Sequence, residues 1–66
     1  MKIFINGEEY SFEKEFTLEE LIQNLKINKD TTVVEINETI INRNNYPNIF
    51  LKNGDKVEII TFVGGG

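Results

Sequence analysis

Sixty-six residues make one small domain, in which folding removes only about 60% of the unfolded chain's surface from water and leaves little room for a deep pocket beside a core. The chain is 39% hydrophobic and 27% charged with a net charge of −4; an acidic balance without a basic cluster disfavours nucleic acid and suits a partner with a basic face. There is no cysteine and no histidine, which excludes a disulfide scaffold, a thiolate nucleophile and a zinc-cysteine site, and removes the usual general base near neutral pH.

No apolar run approaches the roughly 20 residues that span a bilayer. The start, Met1-Lys2-Ile3-Phe4-Ile5-Asn6-Gly7, lacks the long apolar stretch and small-residue cleavage site of a signal peptide. The expectation is a soluble, cytoplasmic domain with no membrane partner.

Residues 2 to 12 read as a β-hairpin. Asn6-Gly7 is a strong signal for a two-residue type I′ turn, because both residue types tolerate positive φ. That turn sets Ile5 opposite Glu8, Ile3 opposite Tyr10 and Met1 opposite Phe12, and directly paired residues share a face. Met1, Ile3, Ile5, Tyr10 and Phe12 are the expected core face; Phe4 falls on the other side.

The next stretch carries a capping box, Thr17 with Glu20, and a hydrophobic staple from Phe16 to Leu21. Leu18, Leu21, Ile22 and Leu25 recur at helical spacing, which predicts a helix from about Leu18 to Lys26, ending near Asn28. Glu19 and Glu20 suit its positive end. With Glu13 and Glu15 they form a solvated face, not a pair of catalytic carboxylates.

Residues 33 to 37 predict a strand with Val34 and Ile36 toward the core. Asn37-Glu38 is a turn and Ile40-Ile41 a short return strand. The run from Asn42 to Asn48 reads as a loop or single helical turn, with Pro47 biasing Tyr46 toward extended backbone and Arg43 as an exposed loop residue. Ile49, Phe50 and Leu51 patch the core edge, Asn53-Gly54-Asp55 turns, and Val57 to Val63 form the last strand.

An amphipathic helix with one apolar stripe, following a hairpin, packs on one face of a sheet. The fold class is α+β: a β-grasp, ubiquitin-like roll with a mixed four- to five-stranded sheet on one helix, the last strand parallel and adjacent to the first. Residues 1–63 form the domain, and 64–66 a flexible glycine tail.

The opening "MKIFI", the single capped helix, the run Leu51, Gly54, Asp55, Val57, Glu58, Ile59 and the closing Gly65-Gly66 resemble ubiquitin-like sulfur carriers over essentially the whole chain. The likeness is greatest to the thiamine-biosynthesis (ThiS) family. The molybdopterin-synthase small subunit is the nearest relative of that family, but its tail carries prolines before the glycines, whereas the one proline here is Pro47.

The resemblance implies a carrier, not an enzyme. A ubiquitin-activating-like adenylyltransferase of the ThiF type, using ATP and magnesium, would adenylate the Gly66 carboxylate. A sulfur donor such as a cysteine desulfurase system would supply sulfur for a terminal thiocarboxylate, and a thiazole synthase of the ThiG type would consume it. No cofactor would be bound by the carrier itself.

Gly64 and Gly65 would thread a narrow channel in the partner, where a tail without side chains fits. Phe4, Ile60 and Phe62, left outside the core on adjacent strands, form the expected exposed apolar docking surface. Two other classes stay open on the sequence: a non-covalent ubiquitin-like binding module and a protein conjugated through its terminus.

Overall fold

A computed structural model describes residues 1–62. Strands β1 (Lys2–Ile5), β2 (Glu8–Ser11), β3 (Thr32–Ile36), β4 (Thr39–Ile40) and β5 (Lys56–Thr61) and one helix, α1 (Leu18–Asn24), are joined by 3₁₀ turns at Lys29–Thr31 and Arg43–Asn48. The five strands form one sheet in the order β2-β1-β5-β3-β4. β5 runs parallel to β1 at the centre, and the other pairings are antiparallel. This is the expected β-grasp order.

The hairpin forms as its turn requires, with φ of 50° at Asn6 and 85° at Gly7 and Ile3 opposite Tyr10. Thr17 caps α1: its side chain accepts from Glu20 N at 3.1 Å, and Glu20 Oε1 accepts from Thr17 N at 2.9 Å. Leu18, Leu21 and Ile22 of the helix meet Ile3, Ile5, Val34, Val57, Tyr46 and Leu51 in the buried core.

Three expectations are corrected. Tyr10 is exposed, as are all four residues of β2. A seven-residue helix is only about 10 Å long and wide, too small to cover an edge strand. Leu25 is also exposed, because α1 stops at Asn24. Ile27 N bonds to Ile22 O and Lys26 N to Gln23 O, a Schellman ending with Lys26 at φ 58° in the place glycine usually takes.

The third correction concerns Tyr46, which Pro47 was expected to bias toward extended backbone. Of the two readings of this run, the helical turn forms: Tyr46 and Pro47 both lie inside the 3₁₀ turn Arg43–Asn48, and Tyr46 is among the largest fully buried side chains. The burial of its ring against the core outweighs the weak local bias of a residue before proline.

The run from Leu51 to Ile59 starts β5. Gly54 takes a left-handed φ of 89°, and its N–H donates to Lys2 O at 2.7 Å. Asp55 Oδ2 accepts from Lys52 N, and Asp55 Oδ1 from Asn37 Nδ2. Phe4 N then bonds to Asp55 O and Asn6 N to Val57 O, which fixes the parallel register of β1 and β5. On the other side of the core, Leu18 N bonds to Ile49 O and Leu51 N to Phe16 O, so the segment before β5 also ties down the start of the helix.

Candidate functional site: the outer face of the sheet and the exit of β5

The helix occupies one face of the sheet, and the side chains that alternate away from it form the other. On β5 these are Lys56, Glu58 and Ile60, with Phe62 just beyond its end; on β3, Val33 and Glu35; on β1, Lys2 and Phe4. β5 leaves the sheet beside the first 3₁₀ turn, where Phe62 N donates to Thr31 O at 2.8 Å. The three glycines Gly64, Gly65 and Gly66, with Val63, lie outside the described residues, and with them the boundary drawn between domain and tail.

Ile60 and Phe62 are 50% and 53% exposed, large apolar side chains offered to solvent as the alternation predicted. Phe4 is half-buried. The three do not adjoin. Phe4 lies opposite Lys56 on β5, and Ile60 is four residues further on, roughly 13 Å along the strand. Lys56 and Glu58 occupy the interval. On its other side Phe4 faces Glu9, which pairs with Lys2 at 3.4 Å. Strand adjacency was foreseen correctly, but the stagger separates Phe4 from the apolar cluster.

That cluster has other members. Val33 is opposite Ile60, and Ile40, 68% exposed, is opposite Glu35 on the same face. Sequence reasoning missed both, yet the signal was present. A two-residue Asn37-Glu38 turn sets Glu35 opposite Ile40, so an outward Glu35 carries Ile40 outward with it.

A shallow groove of about 330 Å³ opens beside Phe62, lined also by Val33, Ile40, Asp30, Arg43 and Tyr46. Arg43 Nη1 donates to Asp30 Oδ1 at 2.8 Å across its rim. Tyr46 Oη is buried without a hydrogen-bond partner among the described residues. Burial pushes its pKa above the ordinary tyrosine value; Arg43 and Lys29 oppose this, and Glu19 adds to it. No cluster of three metal-ligating side chains occurs among the described residues. Glu20 is spent on the helix cap and Glu19 on Lys29, 3.0 Å away. What this face can do chemically is bind: it offers apolar area, two carboxylates and the exit of the last strand.

Known proteins share this organisation. The ThiS family model matches residues 3–66. The chain is 32% identical over 63 residues to the sulfur carrier protein ThiS of Bacillus subtilis (strain 168), covering 94% of this chain and 96% of that protein. It is 39% identical over all 66 residues to a thiazole synthase of Paramagnetospirillum magneticum. It spans only about a fifth of the length of that enzyme, 20%.

The crystal structure of the thiamine biosynthesis protein ThiS from Geobacter metallireducens superposes with a TM-score of 0.84 at 29% identity, covering both chains completely. With the sheet order, the capped helix and the Leu51–Ile59 run in place, the match through residue 66 makes this chain a member of the ThiS family.

Proposed function

We propose that the chain is a sulfur carrier in thiamine biosynthesis, with the Gly66 carboxylate as its working group. The family match that runs through Gly65-Gly66 carries this reading. A carboxylate is a poor acyl electrophile because it is charged and lacks a leaving group. The α-carboxyl group, with a reference pKa of about 3.3–3.7, is ionised at neutral pH. Its oxygen can attack the α-phosphorus of ATP in an activating partner, releasing pyrophosphate and forming an acyl-adenylate. Sulfide can then displace AMP and leave a thiocarboxylate directly; a persulfide sulfur instead leaves an acyl disulfide, which a thiol reductant cleaves to the thiocarboxylate while being oxidised to a disulfide.

The electrostatics of the first step belong to the partner, which holds ATP and magnesium. The carrier supplies a docking face and a terminus. Thiazole synthase is the proposed consumer of the sulfur, since two thiazole synthases contain a stretch similar to the whole of this chain. Phe62 and Ile60, beside the exit of β5, are the proposed contacts on the carrier, and Phe4 a separate one.

Intact-mass measurement tests the proposal. After incubation with the adenylyltransferase, ATP, magnesium, a cysteine-desulfurase sulfur source and a thiol reductant, the mass should rise by about 16 Da as sulfur replaces one oxygen. Deleting Gly66 should abolish the rise. No change in mass would favour a non-covalent binding module, and large adducts a conjugating protein. A thiazole-formation assay separates the thiamine role from one in molybdenum-cofactor synthesis.

A further inference from the structure

The last hydrogen bond along β5 among the described residues lies just past its end, where Phe62 N donates to Thr31 O at 2.8 Å. Thr32 is opposite Thr61 and Val33 opposite Ile60. Hydrogen-bonded rows alternate in an antiparallel ladder, so the next bonded row back is Val33–Ile60. The Thr31 carbonyl therefore decides how much chain follows the last anchor. With it, four residues follow, Val63 to Gly66, a span of at most about 14 Å. Without it the count is six, from Thr61, and the span at most about 22 Å.

That carbonyl belongs to the 3₁₀ turn Lys29–Thr31, which is built on Asn28. Asn28 Oδ1 accepts from Asp30 N at 2.9 Å. Asn28 O accepts from Thr31 N and Thr31 Oγ1, each at 3.2 Å, and from Thr32 Oγ1 at 2.7 Å. The ion pairs Lys29–Glu19 and Arg43–Asp30 also touch the turn, but both are partly or largely exposed, and such pairs contribute little. Thr32, in contrast, is only 5% exposed, so its bond to Asn28 O is sheltered from water. We infer that Asn28 is a positioning residue for the terminus: through the turn it organises, it holds Thr31 O on Phe62 and so sets the length of chain presented to the activating partner. A shorter span has fewer conformations to lose on entering a partner's site and keeps the carboxylate at higher effective concentration there. The inference rests on the carrier reading and adds a device on this chain, remote from the carboxylate, that tunes its delivery.

The test uses the full-length carrier with purified adenylyltransferase from the same organism, ATP and magnesium, and reads pyrophosphate release against carrier concentration. Asn28→Ala removes a cap whose loss shifts a local equilibrium about fivefold. Ends of elements fray at little cost, so the KM for the carrier should rise about threefold with kcat unchanged, and amide exchange at Phe62 should quicken. Asn28→Ser keeps a capping oxygen and should match wild type. Two glycines inserted between Gly64 and Gly65 lengthen the span by the same two residues without touching the turn; KM should rise about twofold with wild-type exchange at Phe62. Wild-type KM in Asn28→Ala or in the insertion variant overturns the inference, as does a fall in kcat alone, or Asn28→Ser behaving as Asn28→Ala. If wild type is turned over and Asn28→Ala matches it, this inference falls alone; if wild type releases no pyrophosphate, the carrier reading falls with it.

Discussion

Asn6 and Ile59, 53 residues apart, are joined by two hydrogen bonds: Ile59 N donates to Asn6 Oδ1 at 2.7 Å, and Asn6 Nδ2 donates to Ile59 O at 3.3 Å. The β1 ladder ends at Ile5, and the chain turns away at Asn6. Its amide side chain continues the pattern of a strand for one more step along β5. Asn6 therefore serves twice, as a residue that tolerates the turn's positive φ and as a clamp on the central parallel pair.

Replacing Asn6 separates these roles. Asn6→Gly keeps the turn and loses the clamp; two exposed hydrogen bonds should cost about 1–2 kcal/mol together. Asn6→Ala also places a β-carbon in the left-handed region and should cost about 1 kcal/mol more. Urea unfolding of the two variants measures both figures. Equal stability of the two would remove the conformational part of the argument.

Local chemistry made much of the fold legible. Asn6-Gly7 and the Thr17-Glu20 box each act within four residues, so their signals do not depend on the rest of the chain. The Leu51–Ile59 run was recognisable for a different reason: Gly54 and Asp55 build the start of β5, so the resemblance rests on structural residues as much as on the glycines. The split between Phe4 and Ile60 was hidden because it depends on the β1–β5 stagger. That stagger is set by Gly54 N to Lys2 O and Phe4 N to Asp55 O, contacts some 50 residues apart. Tyr46 was hidden among polar neighbours, and only packing of its 3₁₀ turn against α1 buries it.

Lys26 holds φ 58° at the end of α1, where a β-carbon is penalised by about 1–2 kcal/mol. Glycine escapes that penalty but adds about 0.4–1 kcal/mol of unfolded-state entropy. Lys26→Gly should therefore stabilise by about 0.5–1 kcal/mol. Lys26→Ala, with the same backbone strain, should change little. A shift in the denaturation midpoint of the first variant alone checks this.

Tyr46 couples the core to alkaline pH. Its folded pKa lies above the ordinary value because burial disfavours the phenolate. The resulting stability is complete below about pH 10, where unfolded tyrosine begins to ionise, and is lost as pH rises through the folded pKa. Tyr46→Phe removes this dependence, so the variant should lose less stability than wild type between neutral pH and the alkaline range. At neutral pH it should be within about 1 kcal/mol of wild type or more stable, since the buried hydroxyl lacks a partner. Tyr46→Ala, which empties the ring's site, should cost about 3–5 kcal/mol. Tyr10, raised chiefly by the charge of Glu8, adds its own loss in the same direction, and a Tyr10→Phe background isolates Tyr46.

Phe4 and Phe62 should behave as members of different surfaces. Phe62 is half-exposed at the exit of β5 and adjoins Ile60 and the groove at Arg43; a partner that takes up the following residues must pass it. Truncating a central apolar anchor costs about 2 kcal/mol of binding, roughly thirtyfold in Kd. Phe62→Ala should show that loss toward both proposed partners, the adenylyltransferase and the thiazole synthase, with stability changed by less than about 0.5 kcal/mol. Phe4 sits level with Lys56, some six residues back along the last strand from Phe62, between Glu9 and Lys56, and is half-buried, so Phe4→Ala should reduce stability as well as any affinity. In a double-mutant cycle the two effects on binding should add within about 0.5 kcal/mol, because the sites lie more than roughly 10 Å apart. Strong coupling between them would show that a single partner element spans Lys56 and Glu58, and would restore the continuous patch that the alternation of side chains first suggested.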